Sequence, residues 1–250
     1  MNSILRKPLC LLMILCGISW MVKAQTNVPK FQLGAGIGTF IYFGDLTPTA
    51  SGSYKTLKPA LDLFASKLLS PSFALRANLA FGKLKGDDAK YNHPDYRQQR
   101  NFNFTSPVAE IAGLAEWNVL GRNYSSRGFS PYLFGGIGYS FLKIKRDWSH
   151  LNLEYFGNGS ELVTGLAIDA QHSLPKSLLV FPVGAGTRYY ITDKIGISAE
   201  ASWRLMSTDY LDGFSQAANP TRGDHYGIYS VGAVYRVGKK NTLACPVMKY

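Results

Sequence analysis

Residues Ile195 to Leu205 read I-G-I-S-A-E-A-S-W-R-L, with Ile195, Ile197, Ala199, Ala201, Trp203 and Leu205 at one parity and Gly196, Ser198, Glu200, Ser202 and Arg204 at the other. A period of two is the signature of a β-strand with one apolar and one polar face. Alternation by itself does not say whether the apolar face meets a protein core or lipid. Length and repetition do: a tilted strand needs about 9–11 residues to cross a bilayer, whereas a globular strand has about 5–6.

The same pattern recurs along the chain. Phe31 to Gly44 carries Phe31, Leu33, Ile37, Ile41 and Phe43 on one face and Gly34, Gly36 and Gly38 on the other. Pro59 to Leu68 sets Leu61, Leu63 and Ala65 against Asp62, Phe64 and Ser66. Phe73 to Leu84 alternates Phe73, Leu75, Ala77, Leu79 and Phe81 with Ala74, Arg76, Asn78, Ala80 and Gly82. Val108 to Leu120, Pro131 to Lys145, Leu178 to Ile191 and Tyr226 to Val237 repeat the theme, which makes eight predicted strands with Ile195 to Leu205. Pro182 sits mid-strand, where it cannot donate to a ladder, and predicts a bulge or a place near the rim.

The connections alternate long and short. Asp45 to Leu57, Lys85 to Ser106, Arg146 to Ser177 and Ser207 to His225 are long, the third with room for a short strand or helix around Glu161 to Ala170. Leu69 to Ser72, Gly121 to Ser130 and Thr192 to Lys194 are brief. This is the layout of an all-β, eight-stranded, antiparallel, up-and-down transmembrane barrel with long extracellular loops and short periplasmic turns. Tyr42, Trp117, Phe141, Tyr189, Trp203 and Tyr235 lie near strand ends, where aromatic girdles form.

A lipocalin-like soluble barrel also has eight strands but turns its apolar face inward. Here the face opposite the apolar one carries Asp62, Arg76, Glu110, Glu116, Arg188, Glu200, Arg204 and Arg236, with no lysine among them. Arginine forks and carboxylates between small residues suit an interior network of bidentate pairs. An eight-stranded interior is just wide enough for side chains to fill, so no open pore is expected.

Ahead of the first strand, Arg6 and Lys7, the apolar stretch Leu9 to Met21, and Val22-Lys23-Ala24 read as a secretory signal over residues 1–24. Residues 25–238 are then the barrel and 239–250 a basic tail. Without Arg6, Lys7 and Lys23 the formal charge falls from +11 to +8, scattered rather than striped, which argues against nucleic acid. Cys10 and Cys16 leave with the leader, so Cys245 has no intramolecular partner.

Chemistry-bearing patterns are sparse. The glycines of the first strand repeat every second residue and do not make a nucleotide-binding turn. His93, His150, His172 and His225 fall in predicted loops, without a nucleophile motif beside them, and no enzyme, cofactor or metal is expected. Asp209, Asp212 and Asp224, with Asp45, meet at the outer rim in this layout, but their spacing is not that of a calcium loop.

Particular segments resemble a known family. Tyr42-Phe43-Gly44-Asp45-Leu46, Pro182 to Lys194, Thr208-Asp209-Tyr210-Leu211-Asp212, Asn219-Pro220 through Tyr226, and Cys245-Pro246 are similar to the PorG-like outer-membrane barrels of bacteria that use type IX secretion. The resemblance implies an outer-membrane component of that apparatus, in contact with outer-membrane lipid and with a periplasmic ring of lipoprotein and partner subunits. It makes Asp45, Asp209, Tyr210 and Asp212 motif residues at the outer rim. Periplasmic contacts would use the turn with Arg122 and Arg127 and the tail with Lys239 and Lys240. A surface barrel whose outer loops bind an extracellular ligand is the alternative.

Overall fold

In a computed structural model, residues 29–49, 52–125, 127–219 and 223–238 are described. The predicted leader, Cys245 and the basic tail with Lys239 and Lys240 lie outside them. Nine strands form in chain order: β1 (Phe31–Phe43), β2 (Lys58–Leu68), β3 (Phe73–Asp87), β4 (Asn103–Asn118), β5 (Gly128–Leu142), β6 (Lys145–Asp147), β7 (Ser177–Tyr190), β8 (Ile195–Leu205) and β9 (His225–Val237). All but β6 are wall strands, each pairing antiparallel with its neighbours. The wall closes where β1 pairs β9, from Phe31 opposite Val237 to Phe43 opposite His225. The result is a closed eight-stranded antiparallel barrel.

Parity sends the side chains where the sequence pattern requires. Leu75, Ile111, Ile137, Phe141, Ile197 and Val231 point outward and are each more than half exposed. The charged positions of the opposite face are enclosed. An uncovered apolar belt of this extent far exceeds the few hundred Å² that a water-soluble monomer tolerates. Closure leaves no open edge among the eight wall strands, the condition for a β-structure to stand in hydrocarbon. The barrel is therefore of the membrane-spanning kind, apolar outside and polar within.

Three details depart from the sequence expectation. β3 and β4 run on past the apolar alternation, pairing from Lys83 opposite Pro107 to Asp87 opposite Asn103, and β6 adds to β4 at Asn103–Thr105. This extension lies above the apolar belt, so its residues no longer alternate by hydropathy. Tyr42 belongs to no girdle: it points inward and is 1% exposed, while the loop after β1 covers outward Ile41. Pro182 makes neither a bulge nor a rim position. The β5–β7 register is unchanged from Gly135 opposite Val183 to Gly138 opposite Val180, and only the rungs between them are missing, as a residue without an N–H requires.

Candidate functional site

Ion pairs fill the lumen from the short-turn end to the level of Arg204 and Tyr226. Arg188 on β7 donates from both terminal nitrogens to Glu116 on β4, at 2.5 and 2.6 Å. Arg204 on β8 donates through Nε and Nη2 to Glu110 on β4, at 2.9 Å each, and Tyr226 on β9 donates to the same carboxylate at 2.6 Å. Arg76 on β3 is shared between Glu200 at 2.7 and 3.0 Å and Asp62 at 3.2 Å, and it also donates to Asn78. Tyr132 donates to Glu200 at 2.5 Å and lies under the Arg188 guanidinium at 4.0 Å. Seven of the eight charged positions thus meet in three linked groups. The cavity left among them has about 10 Å³, room for no more than one water.

Arg236, the eighth, has a different task. It stacks on the Tyr190 ring at 3.4 Å and donates to the carbonyls of Ser125 and Asn123, the latter at 3.0 Å. Asn118 and Ser70 hold Asn123 from below through side-chain and carbonyl contacts of 3.2 and 3.0 Å. The turn between β4 and β5 is thereby folded across the short-turn mouth. Arg122 and Arg127 on that turn remain exposed.

The long-loop half is closed by other means. Phe40, Leu84, Phe104, Val108, Leu142, Val180, Met206 and Ile228 form an apolar layer inside the wall, continued by Leu46, Phe102, Leu211 and Phe214 from the loops. Phe102 and Phe214 stack at 4.3 Å. Above this layer, buried carboxylates tie loop to loop. Asp88 accepts from Arg97 at 2.7 Å and from Arg100 at 2.6 Å, and the same guanidiniums donate to the carbonyls of Thr47 and Asp45. The loop after β3 so clamps the loop after β1.

A second clamp joins the other two loops. Between β6 and β7 lie α1 (Leu153–Phe156) and α2 (Glu161–Gln171), the latter capped by Ser160, whose hydroxyl accepts from Val163 N. Asp169, wholly buried on α2, accepts from Tyr210 Oη and from the backbone N–H groups of Ser215, Gln216 and Ala217, at 2.9–3.1 Å. Gly165 on the same helix lies against the Gln216 carbonyl, closer than any Cβ would allow. His172 stacks on Tyr210 at 3.9 Å.

The four motif positions all lie at the long-loop end of the barrel, but at different depths. Asp45 and Asp212 are buried beneath the loops, at 6% and 0% exposure, whereas Asp209 and Tyr210 are half-buried. Asp45 accepts from Asn219 N at 2.9 Å. Burial raises the Asp209 carboxyl above its usual range. Asp212 and Asp224 both contact the Tyr42 hydroxyl, at 2.6 and 2.7 Å. Sequence reasoning missed Asp88 and Asp169, and nothing local marks them, since their partners are far away in the chain. Tyr132 was legible, because it shares the parity of Gly136 and Gly138 on the polar face of β5.

Among the described residues, no group of three or more His, Cys, Asp and Glu side chains could hold a metal. His93 and Asp95 make an almost fully solvated pair at 3.5 Å. The architecture is a wall with two sealed ends.

A family profile described as a domain of unknown function, DUF6089, matches residues 6–235. The chain belongs to the DUF6089 family. No curated protein matches it in sequence. Among solved structures, this DUF6089 barrel is similar to Ail of Yersinia pestis, crystallised with the heparin analogue sucrose octasulfate, at 11% identity over 84% of this chain and 99% of that one, with a TM-score of 0.46. It is similar to the neisserial surface protein NspA at 15% identity, over 83% and 97% of the two chains, with a TM-score of 0.45. For the outer-membrane protein OprG of Pseudomonas aeruginosa the identity is 9%, the coverage 85% and 98%, and the TM-score 0.43.

Proposed function

We propose that this chain is a non-enzymatic barrel of a Gram-negative outer membrane, an anchoring or assembly component of type IX secretion that contacts periplasmic ring subunits. The observation that supports it best is the double seal. The ion-paired stretch of the lumen leaves a void of only about 10 Å³ among Asp62, Arg76, Glu200 and Arg204, and the outer loops, clamped to one another, cover the other mouth. What remains for such a body is to stand in lipid and be held. Arg122 and Arg127, at the short-turn end, are among the exposed cations that a periplasmic partner would meet. The resemblance to PorG-like barrels supplies the secretion context, and the ring lipoprotein and its partner subunit are the occupants it suggests.

A second reading is a surface barrel that binds an extracellular ligand. It is favoured by Leu153, Tyr155 and Ile168, which the loop between β6 and β7 leaves about half exposed on the long-loop side. Secreted cargo in a deletion strain, quantified beside a pull-down from detergent extract, separates the two. Lost cargo and co-purified ring subunits are expected. Normal secretion combined with lost surface binding would transfer the role to the outer loops.

A further inference from the structure

The Tyr42 hydroxyl presents a problem of hydrogen counting. Its oxygen lies 2.6 Å from Asp212 Oδ2 and 2.7 Å from Asp224 Oδ1, and both are O–H···O distances. A phenol has one hydrogen, so it donates to one carboxylate only; ionised carboxylates accept but never donate. The second contact therefore requires a hydrogen carried by a carboxyl group. We propose that Tyr42, Asp212 and Asp224 form a single-proton site, and that the proton held there latches the loop between β8 and β9 over the barrel mouth.

The remaining oxygens of the pair show what the latch holds. Asp224 Oδ2 accepts from the N–H groups of Leu211 and Asp212, at 3.0 and 3.3 Å, and Asp212 Oδ1 accepts from Phe214 N at 2.8 Å. Both carboxyl groups are wholly buried, as are Leu211 and Phe214 beneath them. Gly44 lies so close to Tyr42 Oη and Asp224 Oδ1 that a Cβ there would overlap both. The site is thus built from β1, the residue that follows its motif tyrosine and phenylalanine, and two ends of one outer loop.

The electrostatic surroundings favour retention of the proton. Burial is the leading cause that raises both carboxyls, with mutual repulsion adding to it for Asp212; Asp224 is pushed up to about 8. Asp45 from the loop after β1 and Asp209 from the loop between β8 and β9 add negative charge, and Asp169 and Tyr210 lie beyond them. Arg100 from the loop after β3 and Arg146 on β6 face Asp212 as cations, but Arg97 and Arg100 are engaged by Asp88 and Arg146 donates to the Gly213 carbonyl at 2.6 Å. His225 follows Asp224 in the chain and is a further titratable side chain beside the site.

The sign follows from linkage. A carboxyl raised in the closed loop binds its proton more tightly there than in the opened one, so closure is favoured at low pH. That stabilisation is fully present below the ordinary carboxylate pKa of about 4 and is lost as pH rises towards about 8, at up to tenfold in the closing equilibrium per pH unit. Above that range the site holds two carboxylates against one phenol hydrogen.

Hydrogen exchange on the full barrel in detergent tests this. Protection factors of Leu211, Asp212 and Phe214 amides, corrected for intrinsic rate and compared with wall amides of β8, are expected to fall by up to tenfold per pH unit between about 6 and 8, then level off. Asp224→Asn, a neutral stand-in for the protonated acid, is expected to hold protection constant over that range, and Asp212→Asn serves if the first variant does not fold. A wild-type profile that is flat relative to the wall, or an unchanged slope in a folded Asn variant, overturns the proposal.

Discussion

At the residue scale, the lumen pairs show how parity and chemistry combine. Asp62, Arg76, Glu110, Glu116, Arg188, Glu200 and Arg204 could all be assigned to one face from the sequence, because every second residue on a strand shares that face. Which arginine meets which acid was not legible, since it depends on how the wall curls and on strand-to-strand register. The energetics follow from burial: an isolated charge in this lumen has lost its water, and its partner replaces it. Arg188→Met leaves Glu116 buried without a cation and is expected to destabilise the barrel by about 3–5 kcal/mol. Adding Glu116→Leu should recover most of that loss, because an apolar pair of similar volume is often neutral. Urea unfolding in lipid vesicles measures both. A second expectation concerns Gly44, which has no Cβ to overlap Tyr42 and Asp224. Gly44→Ala should open the outer loop to proteolysis while leaving the folded wall intact on an unheated gel.

At the scale of elements, the strands were read well where one face is lipid and poorly where it is not. The alternation of Phe73 to Leu84 ends where hydrocarbon ends, yet β3 continues to Asp87 because its ladder with β4 still pairs. The loops are the opposite case. Their polar sequences promise solvated connections, but the structure knits them into a packed cap through Asp88 and Asp169, whose partners are distant in the chain. Such contacts leave no periodic trace. Asp169 accepts four hydrogen bonds from one segment, so Asp169→Ala removes a carboxylate from four donors at once. Because hydrogen bonds to a charged group are each worth about 1.5–3 kcal/mol, local protection of Ser215 to Ala217 should fall by more than about 2 kcal/mol, read by hydrogen exchange. Wall amides should not change.

For the whole molecule, the order of materials from outside to inside is reversed relative to a water-soluble protein. An apolar belt surrounds a hydrogen-bonded wall, and the wall surrounds charges that pair with one another. Sealing at both ends makes conduction a direct test of the plug: planar bilayers containing the purified barrel are expected to show no steady conductance above background. The inside-out order itself is tested most directly by spin labels along β4, in a background where Cys245 is Ser. In lipid vesicles, labels at Ile111→Cys and Ala115→Cys should collide readily with oxygen and hardly at all with a water-soluble nickel chelate. Free access of the chelate to both positions, in a chain that stays dispersed without detergent, would contradict the account.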